Sequence, residues 1–276
     1  NYMKIIIKLL FTVLFFTSLN SYAQNWVNSE ILQSSDKLVL TKIERNQSGE
    51  IFVCGRFKGT IDSFEPNIQS YNNSFDIFLA KFKSDFSLQW FRQIGGGSNE
   101  LEQMNMVLNN DKILLTGAFQ GTCRFSSSDS LMSKSFTDIF LSEYDFDGNL
   151  VRVEKIAYGD KLQIPEGLDV DDDGNILLTG YYWNHLGGSD SLIFLNDADT
   201  LIGNGGSDAF IAKFDENWNF IWSKNIIGNN VSRVSSVSAF KSGYYFTGRF
   251  NDSTYLDLDN FGSYVTSKSD VFLYKT

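Results

Sequence analysis

Three alternating aspartates precede a glycine in the run LDVDDDGNILLTG. The carboxylates of Asp169, Asp171 and Asp173, followed by Gly174, offer hard oxygen ligands where the chain can wrap around a Ca²⁺ ion. The later acidic ligand of an EF-hand loop is absent, and a solvated hairpin turn explains the same residues. We therefore expect no obligatory cofactor, and we assign any calcium binding to these three aspartates.

An aromatic segment further along the chain carries the chemistry of sugar binding. It reads YYWNHLGGSD and combines flat aromatic faces with amide and carboxylate groups. Aromatic faces pack on the C–H faces of sugar rings, while polar groups bind the hydroxyls. Variation in the length of a surface loop is the alternative explanation. The candidate ligand-binding residues are Tyr181, Trp183, Asn184, His185 and Asp190.

Catalytic chemistry has little support in the sequence. His185 is the only histidine, which excludes His-based zinc clusters and makes any Ser-His-Asp arrangement depend on this one residue. Paired carboxylates of the glycosidase kind stay open, because their separation is set only in three dimensions. We predict a non-catalytic protein, with a carbohydrate-active enzyme that uses acidic residues as the alternative.

These candidates lie within a pattern that recurs four times along the chain. A Gly-x-aromatic step is followed 21 to 28 residues later by an Asp-x-Phe step, and the glycines are 62, 63 and 68 residues apart. Tandem units of this length indicate a repeated supersecondary element. The glycines are Gly55, Gly117, Gly180 and Gly248, and the aspartates are Asp76, Asp138, Asp208 and Asp270.

The repeated aspartates have two interpretations. In a closed ring of repeats they would form a ring of carboxylates that holds a cation or a substrate. A residue present in every repeat more often serves the repeat itself. We expect each aspartate to accept backbone hydrogen bonds from the preceding turn, as an Asx-type cap.

Each repeat is expected to fold as a four-stranded antiparallel meander. Short β-favouring runs alternate with turn residues, and sustained helical periodicity is absent after the first residues. One such meander buries too little surface to stand alone, whereas radial stacking buries both faces of every sheet. The predicted fold is all-β, a β-propeller with four blades of four strands. The predicted strands of the first repeat are 38–40, 51–53, 77–82 and 88–91.

The N-terminal strand is expected to close the ring. Trp90 and Trp222 lie in the fourth strand of their repeats, Arg152 takes this place in the second repeat, and the fourth repeat stops before it. Trp26 lies at a matching distance before Gly55. Residues around Trp26 would complete the last blade and remove its exposed edge. The alternative is that the four blades are a truncated part of a larger propeller.

An export signal is predicted before the repeats. Lys4 and Lys8, an apolar run and the small-residue site SYA are typical of a secretory signal peptide over residues 1–23. The apolar run is shorter than the roughly 20 residues that a bilayer needs, so no membrane span is expected. The expected propeller domain is 24–276, with repeats at about 37–98, 99–159, 160–227 and 228–276, the last completed by 25–32.

Charge and cysteine content agree with an exported protein. The chain has 33 acidic and 23 basic residues and a net charge of −10, which disfavours nucleic acid and anionic lipid as partners. Cys54 and Cys123 occupy non-equivalent places in neighbouring repeats. Two separate buried thiols are expected, and an inter-repeat disulfide is the alternative.

The segment DIFLAKFKSDFSLQWFRQIGGG and its partial echoes DAFIAKFDENWNFIWSKNIIG and TDIFLSEYDFDGNL resemble the bacterial β-propeller repeat family often called SBBP. The resemblance covers essentially the whole mature chain. It implies exported bacterial proteins with propeller folds, frequently without an assigned activity, and it carries no chemistry. We predict a monomeric, non-catalytic interaction or structural module, secreted or at the bacterial cell surface, that binds a glycan or a protein. The further alternative is a fragment of a larger multidomain surface protein.

Overall fold

The computed structural model describes residues 31–63, 67–96, 103–134, 136–184, 191–204, 206–228, 231–240, 243–256 and 264–275. These residues form antiparallel β-sheets, which confirms the predicted all-β class. Two single-turn 3-10 segments, Tyr71–Asn73 and Leu195–Asp197, interrupt the strands. The predicted signal peptide and the strand around Trp26 lie outside the described residues. In the part of the chain that is described, no helix has the length and apolar character to cross a membrane.

The first three repeats each contain a four-stranded meander with a small hairpin between the second and third strands. The four strands predicted for the first repeat are confirmed, whereas the small hairpins were not predicted. The first repeat consists of β1 (Lys37–Arg45), β2 (Ile51–Lys58), β3 (Thr60–Ile61), β4 (Ile68–Gln69), β5 (Asp76–Phe82) and β6 (Leu88–Ile94). The second consists of β7 (Met104–Asn109), β8 (Lys112–Phe119), β9 (Thr122–Arg124), β10 (Ser130–Met132), β11 (Asp138–Asp145) and β12 (Leu150–Gly159).

The third repeat follows the same plan, and the fourth has three described strands. The third consists of β13 (Leu162–Val170), β14 (Ile176–Asn184), β15 (Ser191–Phe194), β16 (Thr200–Ile202), β17 (Gly206–Phe214) and β18 (Phe220–Gly228). The fourth consists of β19 (Ser232–Phe240), β20 (Gly243–Leu256) and β21 (Tyr264–Lys275). In order, β21 pairs with β20 and β20 pairs with β19.

The segment after each second strand reaches back to the sheet before it. A bridge between Gly95 and Arg124 joins β9 to the end of the first sheet, and β15 pairs with β12 of the second. The extended end of β20 pairs with β18 of the third sheet. These backbone pairings tie successive sheets together without any disulfide.

The two steps of the repeated motif are halves of one packing unit. Each motif glycine pairs directly with the motif phenylalanine on the neighbouring strand, and a Cβ at the glycine would lie between 2.5 and 2.9 Å from that ring. The rim of the ring therefore lies against the backbone where a side chain is missing, and at Gly55, Gly180 and Gly248 a backbone carbonyl oxygen lies closer still, which only glycine permits. The four pairs are Gly55 with Phe78, Gly117 with Phe140, Gly180 with Phe210 and Gly248 with Phe272.

Apolar cores lie between successive sheets. The first joins β5 and β8 through Ile77 and Leu115, the second joins repeats two and three, and the third joins repeats three and four. Cys54 and Cys123 both lie in the first core as buried free thiols, and burial raises the pKa of Cys54 to about 12. The expectation of two separate buried thiols is confirmed.

The turn between the third and fourth strands of a repeat contacts a side chain of the preceding repeat. In the second repeat this turn meets Trp90, whose indole Nε1 donates to the Phe146 carbonyl at 3.0 Å, and Gly148 leaves room for the ring. In the third repeat Trp218 lies in the place of Gly148, and Arg152 lies in the place of Trp90 with its guanidinium 4.2 Å from the indole centre. In this contact the turn supplies the aromatic ring, and the strand of the preceding repeat supplies the residue that packs on it. This explains why position 152 holds arginine where the tryptophan pattern would place an aromatic residue.

Candidate binding site

Trp183 presents the exposed aromatic surface of the predicted sugar site. It lies in β14 and is 38 % exposed, two residues after Tyr181 and therefore on the same face of the strand. Tyr182 between them points to the other face, where it is fully buried and its hydroxyl donates to Asn225 Oδ1 at 2.9 Å. The third repeat therefore places an accessible ring near the end of an inner strand of its sheet.

Tyr181 is buried, and its ring is covered by a cation. The Arg233 guanidinium of β19 lies 4.0 Å from the ring centre, a cation–π distance. The same guanidinium lies 3.7 Å from Glu166 Oε1, and the Glu166 side chain is 10 % exposed. Tyr181 thus joins an ionic cluster between the third and fourth repeats, and Trp183 follows it on the same side of the strand.

The ionic cluster has spare hydrogen-bonding capacity. Glu166 Oε2 and Arg233 Nε are buried and have no hydrogen-bond partner among the residues that the structure describes. Burial raises the pKa of Glu166, while the charge of Arg233, a hydrogen bond with Ser235 and the charge of Arg249 act in the opposite direction. Buried atoms of this kind are satisfied in proteins by small species such as a water molecule or an ion.

The predicted loop is largely regular structure. Tyr181 to Asn184 continue β14, and Ser191 to Ile202 form the β15–β16 hairpin, which adds to the outer edge of the second sheet. The described parts of this segment therefore follow the same strand and hairpin plan as the other repeats. Asn184 ends the strand, and the predicted ligand residues His185 and Asp190 lie outside the described residues.

The aspartates of the predicted calcium run have separate partners. Asp169 Oδ2 accepts a hydrogen bond from the Ala239 backbone at 2.7 Å. Asp171 accepts backbone hydrogen bonds within its own turn and pairs with Lys213 Nζ at 3.3 Å. Burial acts to raise the pKa of Asp171, but hydrogen bonds from Asn175 and Lys213 hold it below its usual value.

The geometry around this run favours a hairpin turn. Within the described part of the chain, no three His, Cys, Asp or Glu side chains gather closely enough to hold a metal ion. Asp173 donates its backbone N–H to Asp171 Oδ1 at 3.0 Å, as in an Asx turn. Calcium binding by Asp169, Asp171 and Asp173 stays a prediction from the sequence.

A polar cleft of about 660 Å³ lies beside this turn, between the second and third repeats. Five carboxylates and one lysine line it, together with asparagine side chains and Trp218. In the second repeat Phe146 fills the corresponding turn position and packs 4.8 Å from Phe52, whereas Glu216 occupies that position in the third repeat. The cleft is thus the space left by a phenylalanine that the third repeat lacks.

The motif aspartates act as caps in the first three repeats. Asp76 accepts from Tyr71 N at 2.7 Å, Asp138 from Lys134 N at 2.7 Å and Asp208 from Asn204 N at 2.9 Å. The expected Asx-type role is confirmed for these three, all of which are buried, while Asp270 is exposed in β21. Repetition of these carboxylates is explained by the turn that precedes each of them.

Burial of Asp76 is expected to make stability depend on pH. Burial raises its pKa from 3.8 to about 6, against the hydrogen bonds from Tyr71 and Gln93. The folded protein therefore holds this proton more tightly than the unfolded chain does. The resulting stabilisation is complete below about pH 4 and is lost as the pH rises through about 6, which amounts to about 3 kcal/mol. Urea unfolding between about pH 4 and 7 measures it.

The Asp76→Asn protein is the control for this pH dependence. The amide keeps an oxygen that accepts from Tyr71 N but does not titrate. The difference in unfolding free energy between wild type and variant should change across the window, since all other groups are shared. Parallel curves for the two proteins would show that Asp76 titrates normally.

In comparisons with known proteins, no protein-family model and no curated protein matches this chain.

Proposed function

We propose that this protein is an exported β-propeller that serves as a non-catalytic interaction module at the bacterial cell surface and binds a glycan at the edge of its third repeat. The observation that carries the proposal is Trp183, an exposed ring on the same face of β14 as Tyr181. A flat exposed ring packs on the C–H face of a sugar, and polar side chains around it bind the hydroxyls. Rigid sheets hold them in place.

The propeller itself is proposed from the repeated meanders and from the start of the chain. Ser34 forms a bridge with Ile61, as Gly95 does with Arg124 one repeat later. The segment before β1 therefore takes the same position beside the small hairpin of the first repeat that the end of β6 takes beside the small hairpin of the second repeat. This supports an N-terminal strand around Trp26 as the missing outer strand beside β21. In the alternative, a larger propeller, a strand of another blade takes that edge.

The binding proposal predicts a specific loss in the Trp183→Ala protein. We expect the mature protein to bind glycans on a broad panel and the variant to lose about tenfold in affinity, because stacking on a tryptophan contributes up to about 1.4 kcal/mol. Phe136→Ala, which removes an aromatic ring that is 49 % exposed in another repeat, is the matched control and should bind normally.

Four other outcomes would change the proposal. Equal loss in both variants, or no loss in Trp183→Ala, would separate binding from this site. Absence of glycan binding would favour a protein partner. Release of sugar from a bound polysaccharide, abolished by one carboxylate substitution, would favour the carbohydrate-active enzyme over a binding module.

A further inference from the structure

The positions one and three residues after each motif glycine form a row that runs across the repeats. In every repeat the first of them pairs with the residue after the motif aspartate, and the second lies on the same face of the strand. The first strands of successive repeats lie side by side, so equivalent positions follow one another from sheet to sheet. In repeats one, three and four this glycine row holds Arg56, Lys58, Tyr181, Trp183, Arg249 and Asn251.

Positive charges face each other within and opposite the glycine row. Lys37 of β1 pairs across the strands with Lys58, and Arg233 of β19 pairs with Arg249. Like charges directly opposite one another destabilise a sheet. The whole chain carries a net charge of −10, so an excess of cations is not general in this protein. Folding alone does not explain why two such pairs occur at equivalent ends of the first and fourth sheets.

Carboxylates of the protein hold one cation of each pair. Lys58 Nζ lies 3.4 Å from Asp36, and Arg233 Nη1 lies 3.7 Å from Glu166. The other cation of each pair is exposed and makes neither a hydrogen bond nor an ion pair with the residues that the structure describes. These two cations are therefore available to an anion from solution. They are Lys37 and Arg249.

Aromatic rings position several of these cations. Phe75 lies under two of them, with Lys37 Nζ 5.6 Å and the Arg56 guanidinium 4.3 Å from the ring centre. Tyr181 lies 4.0 Å from the Arg233 guanidinium. A cation–π contact attracts a cation to the ring but leaves its charge in place. The glycine row thus combines aromatic faces with cations whose charge is not cancelled.

We propose that the glycan bound at Trp183 is acidic, and that the available cations of the glycine row bind its carboxylate or sulfate groups. The inference rests on the proposed function and names its class of ligand. Trp183 belongs to the row and lies two residues after the ring that carries Arg233, so a glycan chain that stacks on the indole extends towards Arg249. The net negative charge of the protein repels an acidic glycan elsewhere on the surface and favours this row.

The test is calorimetric titration of the mature protein with an oligogalacturonate, with the same oligosaccharide after reduction of its carboxyl groups, and with a sulfated galactan oligosaccharide. We expect an acidic probe to bind about tenfold more tightly than the reduced, neutral form. Lys37→Gln and Arg249→Gln should each lower the affinity for the acidic probe about fivefold, the effect of one exposed ion pair, and leave the affinity for the neutral form unchanged.

Lys83→Gln is the matched control, because it removes one exposed positive charge just after β5, at the opposite end of the first sheet. It should bind every probe as the wild type does. The melting temperatures of Lys37→Gln and Arg249→Gln should stay at or above the wild-type value, since each substitution ends a repulsion between like charges. A loss of binding in these two variants is then not a loss of the fold.

Equal affinity for the acidic and neutral forms would overturn the inference, and so would an equal loss in Lys83→Gln and Arg249→Gln. Binding of the neutral form that still needs Trp183 would leave the proposed function intact. Acidic binding that needs Arg249 but survives in Trp183→Ala would support the cationic site and overturn the aromatic site of the proposed function. The tighter of the two acidic probes identifies carboxylate or sulfate as the bound group.

Discussion

The Gly180→Ala protein is expected to lose about 4 kcal/mol of unfolding free energy. A Cβ at this position would lie 2.1 Å from the Ile164 carbonyl oxygen and 2.9 Å from the Phe210 ring. Overpacking usually costs 1–3 kcal/mol, and we expect about 4 here because the closest obstacle is backbone, which cannot rotate away. Urea unfolding followed by tryptophan fluorescence measures the loss.

Gly174→Ala separates this steric effect from the general effect of removing a glycine. Gly174 has a φ of +84°, and the nearest atom to an added Cβ is 3.4 Å away. Its substitution therefore strains the backbone without a clash and should cost about 1 kcal/mol. Losses of equal size in the two proteins would mean that the motif glycine is not set by the close approach of the Ile164 carbonyl and the Phe210 ring.

The repeated motif explains why the sheet architecture is visible in the sequence. Every repeat needs the glycine and the phenylalanine, because the phenylalanine ring packs against the glycine backbone on the neighbouring strand. Their spacing therefore marks two paired strands in each repeat. The motif aspartate marks the turn before the third strand for a similar local reason. Features that act within one repeat leave a periodic signal, and these were predicted.

Features that join repeats leave no such signal. The small hairpins are two to four residues per strand, and no residue type is common to all three at one position, so the hairpins were not recognised from the sequence. The cluster of Glu166, Arg233 and Tyr181 was missed because its members belong to strands of two repeats. Only the register of β13 against β14, and of β19 against them, brings these residues together.

The candidate site was therefore predicted in part. Trp183 was found from its residue type and its place after a motif glycine, and it is exposed as a ligand platform requires. Tyr181 was chosen for the same reason but is buried, since alternation along β14 turns it towards β19. Sequence distance indicates which face a residue shares, but not what covers that face.

Removal of the Trp218 side chain in a Trp218→Gly protein is expected to cost about 4 kcal/mol. Trp218 is 1 % exposed and stacks under the Arg152 guanidinium. Its φ of 69° lies in the left-handed region, so glycine relieves about 1 kcal/mol of backbone strain. The loss of a buried tryptophan, about 5 kcal/mol at the upper end, outweighs that gain. Urea unfolding at a pH where Asp76 is fully ionised measures the difference.

The second substitution, Arg152→Trp, should reverse much of this loss only when it is combined with the first. Alone, it places an indole against the Trp218 ring in space that a guanidinium fills. Together the two changes recreate the arrangement of Trp90 and Gly148, in which the indole lies over a glycine. The new indole also gains an acceptor in the Glu216 carbonyl, which corresponds to that of Phe146.

The double-mutant cycle therefore tests whether the two inter-repeat contacts are interchangeable. We expect a favourable coupling energy of about 2 kcal/mol between residues 152 and 218, within the range for side chains in direct contact. Additive losses would mean that the turn in the third repeat is held by its own backbone hydrogen bonds, from Asp215 N to the Asn219 carbonyl and from Trp218 N to the Asp215 carbonyl, both at 2.9 Å. Coupling of the expected sign would show that the two contacts fill the same volume at this turn. The aromatic ring comes from the preceding repeat in one contact and from the turn itself in the other.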